Sequence, residues 1–167
     1  MGATVAERKE GSKSGILEFI RKTEPLYLLW GEGVPSSLGD HVCWESKYDA
    51  NGHGTMVRHY VQASWNDKEQ VRLGRNRAEV FLSVYNTLHG TELDVEVQSN
   101  VPIKTMIQGR YMVLFCNNNC CIIRPKNSAT GVCTAWVPAS TANFMHSECK
   151  KKFIEYCNSC KTNTEQV

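Results

Sequence analysis

The stretch from Arg110 to Trp136 constrains the fold more than any other part of the chain. It reads as a strand, Tyr111 to Cys116, followed by Asn117-Asn118-Asn119 and a second strand from Cys120 to Arg124, closed by Pro125. A turn from Lys126 to Gly131 leads into a third strand, Val132 to Val137. Short apolar runs joined by Asn- and Gly-containing turns predict consecutive antiparallel hairpins. With the three Asn as the first loop, Cys116 is expected opposite Cys120 and Phe115 opposite Cys121. Strict alternation then puts Tyr111, Val113, Phe115, Cys121 and Ile123 on one face, and Met112, Leu114, Cys116, Cys120 and Ile122 on the other. Both faces are apolar, so both must be covered. One is expected to line a cavity and the other to lie under a helix.

The rest of the chain supplies partners for these hairpins. Residues 1–14 are polar and are expected to be a flexible leader. Ile16, Leu17, Phe19 and Ile20 predict a short helix that ends before Pro25. Leu26 to Trp30, His41 to Lys47, Thr55 to Trp65 and Ala78 to Tyr85 read as strands, separated by Gly-, Pro- and Asn-containing loops. Glu92 to Gln98 alternates acidic and apolar residues, which predicts a strand with Glu92, Asp94 and Glu96 in water. Phe144 to Tyr156 has the spacing of an amphipathic helix, with Met145, Cys149, Phe153, Tyr156 and Cys157 on its apolar side. The sum is about eight strands at the spacing of an up-and-down barrel, in a single domain over 15–160, with 161–167 a flexible tail.

Composition narrows the function. Nineteen basic residues stand against 17 acidic ones, and no basic stripe with interleaved aromatics offers a nucleic-acid surface. No apolar run is long enough to span a bilayer as a helix. Eight cysteines point to structural disulfides and an oxidising compartment. Met1 is followed by small and charged residues, as expected of a mature secreted chain carrying an added initiator Met. Cys157-x-x-Cys160 lacks a second pair to complete a zinc site and lacks the βαβ context of a redox motif. No nucleophile motif, metal-ligand spacing or phosphate loop is visible, so neither catalysis nor a cofactor nor a metal is expected.

Over nearly its whole length the chain resembles the tick salivary lipocalins of the histamine-binding-protein family. The specific part is Asn119-Cys120-Cys121-Ile122-Ile123, then Thr134-Ala135-Trp136, then Cys149. The family's amine-binding signature is a Cys-Asp-aliphatic triplet, then Glu-Leu followed by Trp or Tyr, then a Cys. Here Cys121 stands at the Asp position, Thr134 at the Glu position and Ala135 at the Leu position. The resemblance implies an all-β, eight-stranded antiparallel lipocalin barrel with a short N-terminal helix and a C-terminal helix packed outside. It also implies one bridge from Cys120 to Cys149 and another from Cys43 to Cys157 or Cys160, leaving the pairing of Cys116, Cys121, Cys133 and one tail cysteine open.

Inside such a barrel, alternation makes Tyr111, Val113, Phe115, Cys121, Thr134 and Trp136 the expected cavity wall. A cationic amine needs buried carboxylates, and the matching positions hold Cys121, Thr134 and, on a looser alignment, Val34 and Arg77. An inward arginine favours a carboxylate instead, with Arg58 and His59 as further candidates, one of them inward by alternation. The expectation is therefore a secreted, monomeric, non-enzymatic carrier that sequesters a small host mediator, with an anionic or amphipathic lipid (a leukotriene or fatty acid) favoured. The alternatives are a biogenic amine, with Glu79 or Asp94 turned inward, and inhibition of a host protein of complement or haemostasis through the loops.

Overall fold

The computed structural model describes residues 12–31, 42–65, 77–126, 133–142 and 146–157. Eight strands close a barrel in sequence order, each antiparallel to the next, with β1 returning to β8. They are β1 (Leu26–Gly31), β2 (Val42–Asn51), β3 (Val57–Trp65), β4 (Arg77–Thr87), β5 (Gly90–Val97), β6 (Gly109–Cys116), β7 (Cys121–Pro125) and β8 (Thr134–Pro138). This is the up-and-down barrel expected from the strand spacing, in the lipocalin form that the family resemblance implied. Among the described residues three α-helices accompany it: α1 (Lys13–Ile20), α2 (Lys104–Ile107) and α3 (Ser147–Tyr156). α1 begins inside the segment expected to be flexible, because the Ser12 hydroxyl accepts the Gly15 N–H at 3.2 Å and caps the helix. The short α2 follows Pro102 and was not expected. The expected features at residues 1–11, Val34, Phe144, Met145, Cys160 and 161–167 lie outside the described residues.

Alternation sorts the wall into two apolar layers. Ala78, Val80, Leu82 and Val84 of β4 and Leu93, Val95 and Val97 of β5 turn inward and are buried with Ile16, Phe19 and Ile20 of α1. Outside, the other face of β6 to β8 meets α3 in a second layer. There Phe115, Ile122, Ala135 and Val137 pack with Cys149 and Phe153. One apolar face thus belongs to the barrel interior and the other lies under a helix.

The β6–β7 hairpin departs from strict alternation at one point. Val113 pairs with Ile123, but Phe115 pairs with Ile122, so the register shifts across Leu114. A bulge of this kind reverses the faces of the residues that follow. Phe115 consequently leaves the interior for the layer under α3, and Cys116 turns inward. The turn also differs from the expected three-residue loop. Cys116 pairs with Cys121, and Cys120 belongs to the turn, where the Asn117 side-chain oxygen accepts the N–H groups of Asn119 (2.8 Å) and Cys120 (3.1 Å). Asn at the first loop position is the residue that makes such a turn.

Among the described residues three disulfides follow from this geometry. Cys116–Cys121 crosses the hairpin, Cys120–Cys149 joins its tip to α3, and Cys133–Cys157 joins the start of β8 to the end of α3. The Cys120–Cys149 expectation holds. A Cys43–Cys157 bridge does not form, because Cys157 is committed to Cys133, and Cys43 lies exposed on β2. Of the eight cysteines, Cys43 and Cys160 remain, and we expect them to pair. Peptide mapping without reduction should show a Cys43–Cys160 fragment and no titratable thiol, whereas two titratable thiols in the unfolded chain would refute the pairing.

The acidic face of β5 is less exposed than alternation suggests. Glu96 is exposed, but the Glu92 side chain is fully buried on the outer wall. It accepts from Arg110 Nη1 at 3.0 Å, Lys126 Nζ at 3.0 Å and Thr87 Oγ1 at 3.3 Å. Asp94 shares Arg110 at 3.4 Å, and Arg110 lies over the Tyr85 ring, 4.7 Å from its centroid. The Lys126 ammonium holds the Glu92 carboxyl below the usual carboxylate range, with Arg110 adding to the effect against the cost of burial. Both basic partners follow β5 in sequence, so the strand's own pattern gave no sign that they would cover it.

Candidate functional site: an uncharged barrel cavity

The barrel encloses a cavity of about 210 Å³, partly open to solvent. At one end it is floored by Ile16, Phe19 and Ile20 of α1. At the other stand Met106 and Ile107 of α2. The walls between them are the inward positions of the strands, among them Trp44, Val61, Leu82, Leu93 and Val95. Tyr111, Val113, Cys121, Thr134 and Trp136 line the cavity, where alternation put them, and of the pair Arg58 and His59 it is His59 that faces in. The α1 residues escaped notice as cavity lining because the sequence shows only that their helix has an apolar side. Leu82, Leu93 and Val95 were legible in the alternation of β4 and β5.

Phe115 is not part of the wall, for the bulge has carried it outside. Arg58 and Arg77 are not part of it either. Arg58 neighbours inward-facing His59 and therefore points outward, where it pairs with Glu79 and stands 3.6 Å from Asp49. Arg77 is exposed and lies over the Tyr60 ring at 4.2 Å from its centroid. The same pairings hold Glu79 and Asp94 on the outer surface. Among the described residues, no Asp, Glu, Lys or Arg lines the cavity.

The polar atoms of the wall are largely committed to one another. His59 is fully buried, with Nε2 2.6 Å from the Ile20 carbonyl and Nδ1 2.7 Å from Ser46 Oγ. A carbonyl can only accept, so Nε2 carries the proton and Nδ1 accepts from the Ser46 hydroxyl. The ring thereby ties the C-terminal end of α1 to the strands. Tyr111 Oη donates to the Ile107 carbonyl at 2.6 Å, which ties α2 to β6, and burial pushes this phenol up to about 12. Trp136 Nε1 donates to Thr134 Oγ1 at 3.0 Å.

Burial pulls the His59 pKa down from 6.5 to about 4, with the Ile20 hydrogen bond opposing the shift. The ring is therefore neutral at physiological pH and offers an anion no charge. Because the folded value lies below the unfolded one, the unfolded chain takes up this proton first as pH falls. The stability contributed by neutral His59 is full above about pH 6.5 and is lost progressively down to about pH 4, by about 3 kcal/mol. In urea denaturation across this window the stabilities of the wild type and His59→Gln should diverge by that amount in total. Parallel profiles would mean that the ring is hydrated.

The residues 35–167 match the tick histamine binding protein family, and the chain belongs to that family. The barrel is similar to the structure of japanin from Rhipicephalus appendiculatus bound to cholesterol. The TM-score is 0.62 at 17% identity, over 83% of this chain and 90% of that one. Among curated proteins none matches.

Proposed function

We propose that this protein is a secreted, monomeric, non-enzymatic carrier that sequesters a neutral or weakly polar lipid-like molecule in its barrel. The observation that carries this reading is the absence of any charged side chain among the described residues of the cavity wall. A buried ion requires a partner of opposite charge, and the described residues of this wall supply none for an ammonium group or a carboxylate. Arg58 and Arg77 gave the sequence its reason to favour an anion, and both face outward. An acidic lipid fits only with its chain inside and its carboxylate in water. The enclosed volume is below the roughly 300–1,000 Å³ of sites that surround a drug-sized molecule. A sterol-sized ligand would therefore fill the cavity and extend toward the end opposite α1. Family membership supports the setting, removal of a host mediator where a tick feeds, and the three disulfides suit an extracellular life.

Calorimetric titration with cholesterol, arachidonate, histamine and serotonin tests the proposal. We expect saturable binding of the sterol, weaker binding of the fatty acid and no heat from either amine. Arg77→Ala should leave both lipid affinities unchanged within about twofold, since the residue is remote from the wall. Binding of an amine, or loss of fatty-acid binding on removal of Arg77, would overturn the uncharged-cavity reading.

A further inference from the structure

The two ends of the cavity are closed by unequal means. At one end α1 is a fixed floor: Ile16, Phe19 and Ile20 are buried in the core, and His59 holds the Ile20 carbonyl. At the other end the closure is slight. Among the described residues that line the cavity, Met106 and Ile107 belong to neither the strands nor α1. Both are half-buried and are carried by α2, a helix of four residues without a side-chain cap. One turn of helix is not stable alone, because nucleation costs more than its few hydrogen bonds return. α2 therefore stays where its surroundings hold it. Ile103, fully buried, anchors its start. At its end the Ile107 carbonyl accepts from Tyr111 Oη at 2.6 Å, and Gln108 Oε1 accepts the Val97 N–H at 2.9 Å. Gly109 then opens β6 at φ +148°, a conformation that favours glycine and leaves no Cβ to resist a swing of the preceding turn.

We infer that α2 is a displaceable plug, and that the hydrogen bonds from Tyr111 and to Gln108 set the affinity and uptake rate of bulky lipid-like ligands by holding it shut. This rests on the cavity being the ligand site, and it adds a cost that the apolar walls do not impose. With α2 in place the cavity measures about 210 Å³, less than the roughly 300–1,000 Å³ that surrounds a drug-sized molecule. A ligand needing the space of Met106 and Ile107 must break both bonds, so its affinity is reduced by the fraction of molecules in which the plug is out. Tyr111 faces two ways: its ring lines the cavity while its hydroxyl holds α2. Gln108 is exposed and is not part of the wall. It is a positioning residue, and a change there reaches the ligand only through α2.

Gln108→Ala removes the acceptor from the Val97 N–H, and Gln108→Glu keeps one. Dehydroergosterol, a fluorescent sterol, is delivered from cyclodextrin to the full chain, and its uptake is followed by energy transfer from tryptophan. Gln108→Ala should take up the sterol about fivefold faster and bind it about fivefold tighter, with dissociation unchanged, because the plug is already loosened. Gln108→Glu should match the wild type within about twofold. On the wild type itself, hydrogen exchange at the Ile107 and Gln108 amides, which bond to the Ile103 and Lys104 carbonyls, should speed up when the sterol binds. A lid that closed over its ligand would slow them. Slower or unchanged exchange at these two amides, or an unchanged sterol affinity in Gln108→Ala, would overturn the plug and leave the cavity as the ligand site. Failure of the wild type to bind the sterol saturably would overturn both.

Discussion

Val95→Phe is expected to give a stable barrel that no longer takes up its ligand. Val95 is 8% exposed and faces the cavity from β5. Enlarging a side chain in a filled core forces strain, but here the added ring enters about 210 Å³ of empty space. The free protein should gain roughly 1 kcal/mol from the extra apolar burial, seen as a melting temperature about 2–4 °C higher. Affinity for any occupant of the barrel should fall roughly a hundredfold, because ring and ligand compete for one volume. A variant that binds normally would show that the ligand sits elsewhere, on the loops or the outer wall, and would favour a protein-inhibitor role.

The second large effect belongs to the other layer. Phe153 of α3 is 4% exposed and packs in the cluster that contains Phe115, Ile122 and Val137. Phe153→Ala should cost about 3–5 kcal/mol, combining lost transfer energy with the void left behind. The Cys120–Cys149 and Cys133–Cys157 bridges flank this position on the helix, so α3 stays attached and the loss appears in the urea midpoint. Ligand affinity should be nearly unchanged, since Phe153 does not line the cavity. A cost under about 1 kcal/mol would mean that the bridges, rather than packing, keep the helix in place.

Much of the barrel was legible because alternation is a property of the strand itself. β4 and β5 declare their inward residues without reference to neighbours, and α1 and α3 show their apolar sides in the same local way. The misreadings arose where a second element decides. Phe115 was assigned inward because nothing in Tyr111 to Cys116 marks the shift at Leu114, which appears only when β7 is paired alongside. Glu92 was assigned to water because Arg110 and Lys126, which cover it, lie on later parts of the chain. The arginines were drawn inward by aligning Arg77 with an acidic family position, although inward-facing His59 already requires Arg58 to point out.

The seam between β1 and β8 has a consequence for how this protein comes into being. Leu26 pairs with Pro138 and Gly31 with Thr134, so the first strand waits for the last before the ring can close. Contacts so distant in sequence form late and slowly. The earlier strands can assemble as a curved, open sheet during synthesis, but that sheet exposes its apolar concave face until β8 arrives. The container therefore does not exist until nearly the whole chain is made, and a small apolar molecule already present could serve as the template on which the ring shuts. Refolding with and without such a molecule would reveal this as a change in the slowest phase alone.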